Sequence, residues 1–130
     1  MKILLAEDDF ATRKFMVNFL SKYGECDVTV DGMEAVDAFM MALEDEEPYD
    51  LVCLDIMMPV MDGYQALVGI RKLEKERNIP ENKAVKVIMT TALNEKRTVD
   101  KAFELGASTY SGKPIDKVKF EDVLRRMKLI

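Results

Sequence analysis

The chain has 130 residues and a formal net charge of −5, with nearly half of the residues hydrophobic and a third charged, which suits one ordinary globular domain. The acidic balance argues against nucleic acid or an anionic membrane as the main partner, because phosphate surfaces attract basic patches. The sequence contains no histidine, which excludes histidine-based metal sites and triads, and its two cysteines are too few for a typical zinc site.

Short apolar runs alternate with amphipathic stretches along the chain, as strands and helices do in α/β proteins. Strands are predicted at five runs, namely residues 2–6, 26–30, 51–54, 85–90 and 108–112. Helices are predicted where apolar residues recur at helical spacing, namely over residues 10–22, 35–43, 66–73, 99–105 and 118–127. This alternation predicts an α/β fold, a doubly wound parallel sheet with helices on both faces, formed by one domain over residues 1–130.

The apolar runs are too short to cross a membrane or to form the core of a secretory signal. We therefore expect a cytoplasmic protein with no membrane partner. Cys26 and Cys53 are expected to be reduced core residues in that compartment.

Charged and polar side chains follow the carboxyl ends of four predicted strands. They are, in chain order, Glu7, Asp8 and Asp9, then Asp55, then Thr90 and Thr91, and finally Lys113. In an open parallel sheet these strand ends lie along one rim, where ligands bind. Several carboxylates in one place repel each other unless a cation neutralises them. Oxygen-only ligands favour Mg²⁺, which commonly completes its shell with phosphate oxygens, so the rim predicts a site for a phosphoryl group.

Each of these residues taken alone has a plainer interpretation. Asp8 or Asp9 could simply cap the first helix, and Asp62 is typical of a turn and helix cap. Thr91 could be an ordinary strand end and Lys113 a solvated surface lysine. The convergence of these residues on one rim is therefore the evidence for a site.

The order of the motifs resembles the receiver domain of two-component response regulators. That family carries an acidic pair after strand one, a phosphoacceptor aspartate after strand three, Ser/Thr-Ala after strand four and Lys-Pro after strand five. The matching segments here are Glu7-Asp8, Asp55 within DIMMPVMDG, Thr91-Ala92 and Lys113-Pro114. The resemblance spans the chain from KILLAEDD to the last helix, and it implies a flavodoxin-like (βα)5 sheet with strand order 2-1-3-4-5.

The resemblance also implies roles for individual residues. Asp55 would accept a phosphoryl group from the phosphohistidine of a histidine kinase or histidine phosphotransfer protein. Mg²⁺, with Mn²⁺ as a substitute, would be held by Asp8, Glu7, Asp55 and the backbone carbonyl of Met57. Lys113 would contact Asp55 and then the phosphoryl oxygens, with a cis bond to the following proline.

Two further residues would connect the site to the surface. By resemblance, Thr91 would donate its hydroxyl to a phosphoryl oxygen, and Tyr110 would be the switch aromatic that fills the space left when Thr91 moves inward. A downstream protein would then dock on the face formed by helix four, strand five and helix five. Met57 and Leu93, which would flank the phosphoryl group, predict slow attack by water and a long-lived phosphoryl group.

The implied protein is a stand-alone response regulator without an output domain, a monomer or a weak phosphorylation-linked dimer. It would not be a free-standing enzyme, although it would catalyse its own phosphorylation and dephosphorylation. Two alternatives stay open: a phosphorylation-independent receiver-like scaffold, and a hydrolase of the haloacid dehalogenase type. The hydrolase would need an aspartate where this chain has Met57. The implied strand order also puts Cys26 and Cys53 roughly 9–10 Å apart, beyond disulfide reach.

Overall fold

The computed structural model of the chain describes residues 1–92 and 96–130. Within these residues five strands alternate with five helices: β1 Lys2–Ala6, α1 Phe10–Leu20, β2 Glu25–Thr29, α2 Gly32–Glu44, β3 Leu51–Asp55, α3 Gly63–Glu76, β4 Lys86–Thr91, α4 Lys96–Glu104, β5 Thr109–Gly112 and α5 Lys117–Arg126. A short 3-10 helix, Glu81–Lys83, precedes β4. None of the helices in this part of the chain combines the length and the apolar character that crossing a membrane requires.

The strands form one parallel sheet in the order β2-β1-β3-β4-β5, which confirms the predicted fold class and strand order. Strand positions differ from the sequence prediction by one residue at β2, β4 and β5, and β3 extends one residue further, to Asp55. The extension follows from pairing, because Asp55 is in register with Thr90 of β4. The order places β1 and β3 in the interior of the sheet, so their carboxyl ends lie side by side.

The sheet has a hydrophobic core on each face. On the α2 and α3 side the buried strand residues are Leu4, Ala6, Val52, Leu54, Val87 and Met89. On the α1 and α5 side they are Ile3, Leu5, Leu51, Cys53 and Ile88. Burying one such side chain contributes about 1.5–3 kcal/mol relative to leaving it exposed. The two cores hold the central strands rigidly, and the functional rim is built on that rigid base.

Aspartate side chains cap the helices α1, α2, α3 and α5 at the same rim. Each accepts a backbone N–H from the first turn at 2.8–2.9 Å, and the four caps are Asp9, Asp31, Asp62 and Asp116. Such caps satisfy backbone donors that have no partner within the helix. The caps at positions 9 and 62 agree with the sequence interpretation, and they fix where the two helices beside the acidic residues begin.

Cys26 and Cys53 are both free thiols. Cys26 is in register with Ile3 of β1, and Cys53 with Leu5 of the same strand, so β1 lies between them. The expectation that they do not form a disulfide is confirmed.

Candidate functional site

Asp55 ends β3 and is held on a fixed backbone. Asp55 is only 4% exposed. The next residue is tied to β4, because the Ile56 N–H donates to the Thr90 carbonyl at 3.0 Å. Gly63, the first residue of α3, packs directly on this strand end. A Cβ atom at position 63 would lie 2.3 Å from the Asp55 carbonyl oxygen, so only glycine fits there. The carboxylate of Asp55 therefore projects from a strand end that has little freedom to shift.

Two acidic side chains from the β1–α1 turn lie beside Asp55. Glu7 is buried, whereas Asp8 is exposed. One carboxylate oxygen from each of the three acids lies within 4.8 Å of the others. The Glu7 N–H donates to the Thr29 carbonyl at 3.1 Å, which ties the turn to β2. The structure thus brings together the three acids that the sequence placed at different strand ends.

Arg13, from α1, supports the same turn. Its Nη1 donates to the carbonyl oxygens of Glu7 at 3.0 Å and Asp8 at 3.3 Å. The sequence prediction missed this residue, because a basic side chain on an amphipathic helix is usually only a solvated surface group. The one available signal was its position in the first turns of the helix that follows the acidic pair.

Lys113 enters the cluster from the end of β5. Its Nζ lies 2.6 Å from Glu7 Oε1 and 3.2 Å from Asp55 Oδ1. Its backbone N–H donates to the Thr91 carbonyl at 2.8 Å, and the Lys113–Pro114 peptide bond is cis, as the resemblance implied. One ammonium group therefore bridges two buried carboxylates, one that follows β1 and one that ends β3.

The cluster shifts the pKa values of its members. The pKa of Asp55 is raised to about 7: burial is the largest cause, Glu7 adds to the rise through a hydrogen bond and its charge, and Lys113 opposes it. Burial lowers the pKa of the Lys113 ammonium, but its bonds to Glu7 and Asp55 outweigh burial, so that the pKa is raised. Three carboxylates thus face one ammonium, an imbalance that a bound cation would correct.

Comparison with known proteins agrees with this arrangement. A family model, the response regulator receiver domain, matches residues 3–125. The chain belongs to the receiver domain family. Chemotaxis protein CheY of Treponema pallidum is 32% identical over 120 residues, which cover 91% of this chain and 76% of that protein.

Other relatives are receivers within much larger proteins. The peroxide stress-activated histidine kinase mak1 of Schizosaccharomyces pombe is 35% identical over 87% of this chain, but the chain spans only 7% of that kinase. Hybrid signal transduction histidine kinase B of Dictyostelium discoideum is 35% identical over 97% of this chain, and the chain spans 6% of it.

A solved structure shares the fold along nearly the whole chain. It is the CheX–CheY–BeF₃–Mg²⁺ complex from Borrelia burgdorferi, with a TM-score of 0.81 and 29% identity, covering 98% of this chain and 89% of the matched one. The receiver fold of this chain is therefore shown both by sequence and by structure.

The acidic donor set of this receiver fits a magnesium ion. At ordinary bond lengths the oxygens around an octahedral Mg²⁺ are about 3 Å apart when adjacent and about 4.2 Å apart when opposite. The three acids each offer a carboxylate oxygen within 4.8 Å of the others, so side-chain rotation would bring these oxygens around one ion. All three ligands offer hard oxygen atoms, which Mg²⁺ prefers. The residues present are therefore compatible with the ion that receivers bind.

The structure describes three of the remaining predicted site residues, namely Thr91, Tyr110 and Met57. Thr91 is buried at the end of β4. Tyr110 of β5 is 38% exposed, and its ring meets Phe103 of α4 edge to face at a centroid distance of 6.3 Å. Met57 lies two residues beyond Asp55 and is 66% exposed. Leu93, the other residue expected to slow attack by water, lies outside the described residues.

Lys113 and Pro114 also line two shallow cavities, one on each side of the β5–α5 connection. The cavity on the α1 side has a volume of about 270 Å³, and its other lining residues are Ala11, Thr12, Phe15 and Ile115. The cavity on the β5 side has a volume of about 410 Å³, and its other lining residues are Tyr110, Ser111, Gly112, Asp116 and Lys119. Through the second cavity, the lysine of the acidic cluster adjoins the surface that carries Tyr110.

Proposed function

We propose that this receiver accepts a phosphoryl group on Asp55 from the phosphohistidine of a histidine kinase or a histidine phosphotransfer protein. The reaction would require Mg²⁺, for which Mn²⁺ would substitute. One observation carries the proposal: the Asp55 carboxylate meets the Glu7 and Asp8 carboxylates within 4.8 Å and the Lys113 ammonium at 3.2 Å. That combination provides a nucleophile, a cation site and a fixed positive charge at one point.

Asp55 is the nucleophile in the proposed transfer. One of its oxygens bonds to phosphorus while the P–N bond to the donor imidazole breaks; the electron pair stays on that nitrogen, which takes up a proton. The product is an aspartyl phosphate, and the donor histidine becomes neutral. Because the Asp55 backbone is held between β4 and Gly63, the carboxylate is oriented before the donor arrives, which is the main way that a protein accelerates such a transfer.

Lys113 and Thr91 bind the transferred group. The ammonium can pair with a phosphoryl oxygen while it keeps its 2.6 Å bond to Glu7, and such charge-assisted bonds are among the strongest that a protein forms. Thr91 would donate its hydroxyl to another phosphoryl oxygen. These two donors sit at the ends of β5 and β4, so the phosphoryl group would connect the two strands.

The metal ligands differ in availability. Glu7 Oε1 accepts from Lys113, and Oε2 accepts from the Asp9 N–H at 3.4 Å. We therefore assign direct coordination to Asp8, Asp55 and the backbone carbonyl of Met57, and coordination through water to Glu7. When bound, Mg²⁺ neutralises the acids and the oxygens of the transferred group. The related CheY was solved together with BeF₃ and Mg²⁺, which supports Mg²⁺ as the ion.

The output of the proposed switch is docking on the α4–β5–α5 face. That face presents the paired rings of Phe103 and Tyr110, which are 45% and 38% exposed. Exposed aromatic side chains are common anchors in protein interfaces. The 410 Å³ cavity beside Tyr110 reaches Lys113, so a change at the lysine can alter the shape of the docking surface.

Phosphorylation can be tested by incubating the protein with acetyl phosphate and Mg²⁺ and measuring its intact mass. We expect the addition of one phosphoryl group per chain, abolished by Asp55→Asn and by removal of divalent cations. Asp9→Asn is the matched control: it lies in the same acidic run but caps α1, so labelling should persist. An unlabelled wild-type protein would instead support a scaffold, and continuous turnover of phosphate esters would support a hydrolase.

A further inference from the structure

Helix α4 is held to the fold by little buried surface. Among its nine residues only Ala102 is buried, whereas α3 buries five residues: Gly63, Ala66, Leu67, Ile70 and Glu74. Since helices in proteins are held mainly by the apolar surface that they bury, α4 can be displaced at a lower cost than α3. Specific side-chain contacts therefore contribute a large share of what fixes its position.

Tyr64 provides two of those contacts. Its hydroxyl donates to the carbonyl oxygen of Thr98 at 3.0 Å. The Lys101 ammonium lies over the face of its ring, 4.5 Å from the centroid. Thr98 and Lys101 are one turn apart on α4, so a single tyrosine from α3 contacts the helix at two neighbouring turns.

The backbone next to Tyr64 packs on the end of β3, where Asp55 lies. It follows Gly63, whose N–H donates to the Ile56 carbonyl at 2.8 Å and whose Cα packs on the Asp55 carbonyl. The backbone of Tyr64 is thus fixed to the strand end that carries the nucleophile. Asp55 and α4 are connected through two residues of α3.

We propose that Tyr64 is a positioning residue that holds α4 in its unphosphorylated place, so that phosphorylation of Asp55 must release the Tyr64–Thr98 bond before the docking face can change. This inference rests on the proposed function. It differs from the route through Thr91 and Tyr110, which runs along β4 and β5. If the Tyr64–Thr98 bond stabilises the unphosphorylated arrangement, breaking it costs free energy when a phosphoryl group binds. The bond therefore lowers the apparent affinity for a phosphoryl group by the same free energy.

The test uses Tyr64→Phe, which keeps the ring and removes only the hydroxyl. Beryllofluoride binding is measured calorimetrically at saturating Mg²⁺, and Mg²⁺ binding is measured alone. We expect beryllofluoride to bind about 2- to 10-fold more tightly than to wild type, the range that one neutral hydrogen bond provides. Mg²⁺ affinity should not change. If the Tyr64 hydroxyl only stabilised the fold, its removal would weaken beryllofluoride binding or leave it unchanged. Tighter binding is therefore expected only if the hydroxyl restrains α4.

Tyr49→Phe is the matched control. Tyr49 also donates a hydroxyl hydrogen bond, to Asp27 Oδ2 at 2.7 Å, but it precedes β3 and lies at the opposite end of the sheet. Its loss should leave beryllofluoride affinity unchanged. Lys101→Met, which removes the charge over the ring, should shift the affinity in the same direction as Tyr64→Phe.

The outcomes separate the two proposals. If wild type binds beryllofluoride and Tyr64→Phe binds it equally or more weakly, the role of Tyr64 is wrong and the proposed function stands. If wild type neither binds beryllofluoride nor is labelled by acetyl phosphate, the proposed function fails, and the inference fails with it.

Discussion

The Lys113 ammonium lies closer to Glu7 than to Asp55: Nζ is 2.6 Å from Glu7 Oε1 and 3.2 Å from Asp55 Oδ1. Glu7 therefore anchors the lysine, and Asp55 receives the weaker of the two bonds. In the proposed phosphoryl transfer this division would help Asp55 to act as the nucleophile. Glu7 would hold the ammonium in place, and the Asp55 carboxylate would stay available to attack.

The first prediction concerns Glu7→Gln, which keeps the shape of the side chain and removes its charge. We expect Mg²⁺ affinity to fall by about 10- to 100-fold, as is usual when a group that supports a metal site is removed. Labelling of Asp55 should persist at saturating Mg²⁺. Calorimetric titration checks the affinity. Glu34→Gln is the control, since the Glu34 carboxylate accepts the Val30 N–H at 3.1 Å at the start of α2 and is not a member of the acidic cluster. Equal affinities of Glu7→Gln and wild type would contradict a role for Glu7 in the metal site.

The second prediction concerns the lifetime of the phosphoryl group. Met57 is 66% exposed next to Asp55, and its apolar side chain cannot orient an attacking water. Asparagine can hydrogen-bond such a water, so Met57→Asn should shorten the lifetime of the aspartyl phosphate several-fold. Loss of the label is followed by intact mass after the phosphodonor is removed. Met41→Asn, at a position exposed on α2, should leave the lifetime unchanged; identical decay in all three proteins would refute the idea.

The third prediction concerns thiol reactivity and its pH dependence. Burial, assisted by the negative charge of Asp27, raises the pKa of Cys26 to about 11, and burial raises the pKa of Cys53 further still. A raised pKa means less thiolate at a given pH, by about 100-fold for Cys26 at pH 8. Alkylation of the native protein by iodoacetamide should therefore be slow, and its rate should keep rising up to about pH 11, near the pKa of Cys26. Rapid alkylation at pH 8 before urea is added would show that the thiols are accessible and acidic.

The fourth prediction concerns backbone strain in the loop after β3. Val60 has a φ angle of 67° and is 78% exposed, a conformation that is unfavourable for a β-branched residue. Val60→Asn should raise the free energy of unfolding by about 1 kcal/mol, because asparagine tolerates the left-handed region. Val118→Asn is the matched control, since Val118 is also 78% exposed but lies in the helix α5. Urea denaturation should show a gain for Val60→Asn and none for Val118→Asn.

The fifth prediction concerns a buried ion pair at the other end of the sheet. Glu74 binds Arg71 Nη1 at 2.6 Å and accepts the Val85 N–H at 2.7 Å. Arg71 also donates to the Gly106 carbonyl through Nε and Nη2. Glu74→Ala leaves a buried N–H and a partly buried guanidinium without their acceptor, which should cost about 2–4 kcal/mol.

Two measurements check that network. Urea denaturation of Glu74→Ala should show the full loss, whereas Asp122→Ala should change stability little, because its pair with Arg126 is exposed. Labelling of Asp55 by acetyl phosphate should be retained in both variants, since neither residue lies at the rim. A loss of labelling in folded Glu74→Ala would show that the two ends of the sheet are coupled.

Apolar periodicity and the turn residues were sufficient to predict the fold class, whereas the strand order was taken from the family resemblance. The LVCL run was best explained as a strand buried on both faces, and β3 is buried from Leu51 to Asp55. Exact ends were less predictable because they depend on partners: β2 begins at Glu25 since its N–H donates to the Met1 carbonyl at 3.0 Å. Such a bond follows from the packing of distant segments and leaves no local trace in the sequence.

The convergence of Glu7, Asp8, Asp55 and Lys113 was also predictable, whereas the support from Arg13 and the internal contacts of the cluster were not. Adjacent acids at the end of a strand point in different directions, and only the folded chain shows that Glu7 faces inward to Lys113 while Asp8 faces solvent. Tyr64 is similar, because its partner Thr98 is 34 residues away. A tyrosine at the start of an amphipathic helix has nothing in its sequence context that distinguishes it from an ordinary core or surface residue.

The contact between Gly63 and the Asp55 carbonyl has a mechanical consequence. A Cβ atom at position 63 would collide with the Asp55 carbonyl oxygen, so β3 and α3 have no room to move closer together. If Asp55 is phosphorylated as proposed, the added bulk would be accommodated along β4 and the lightly anchored α4 rather than between β3 and α3. The missing side-chain carbon at position 63 would then set the direction of that response.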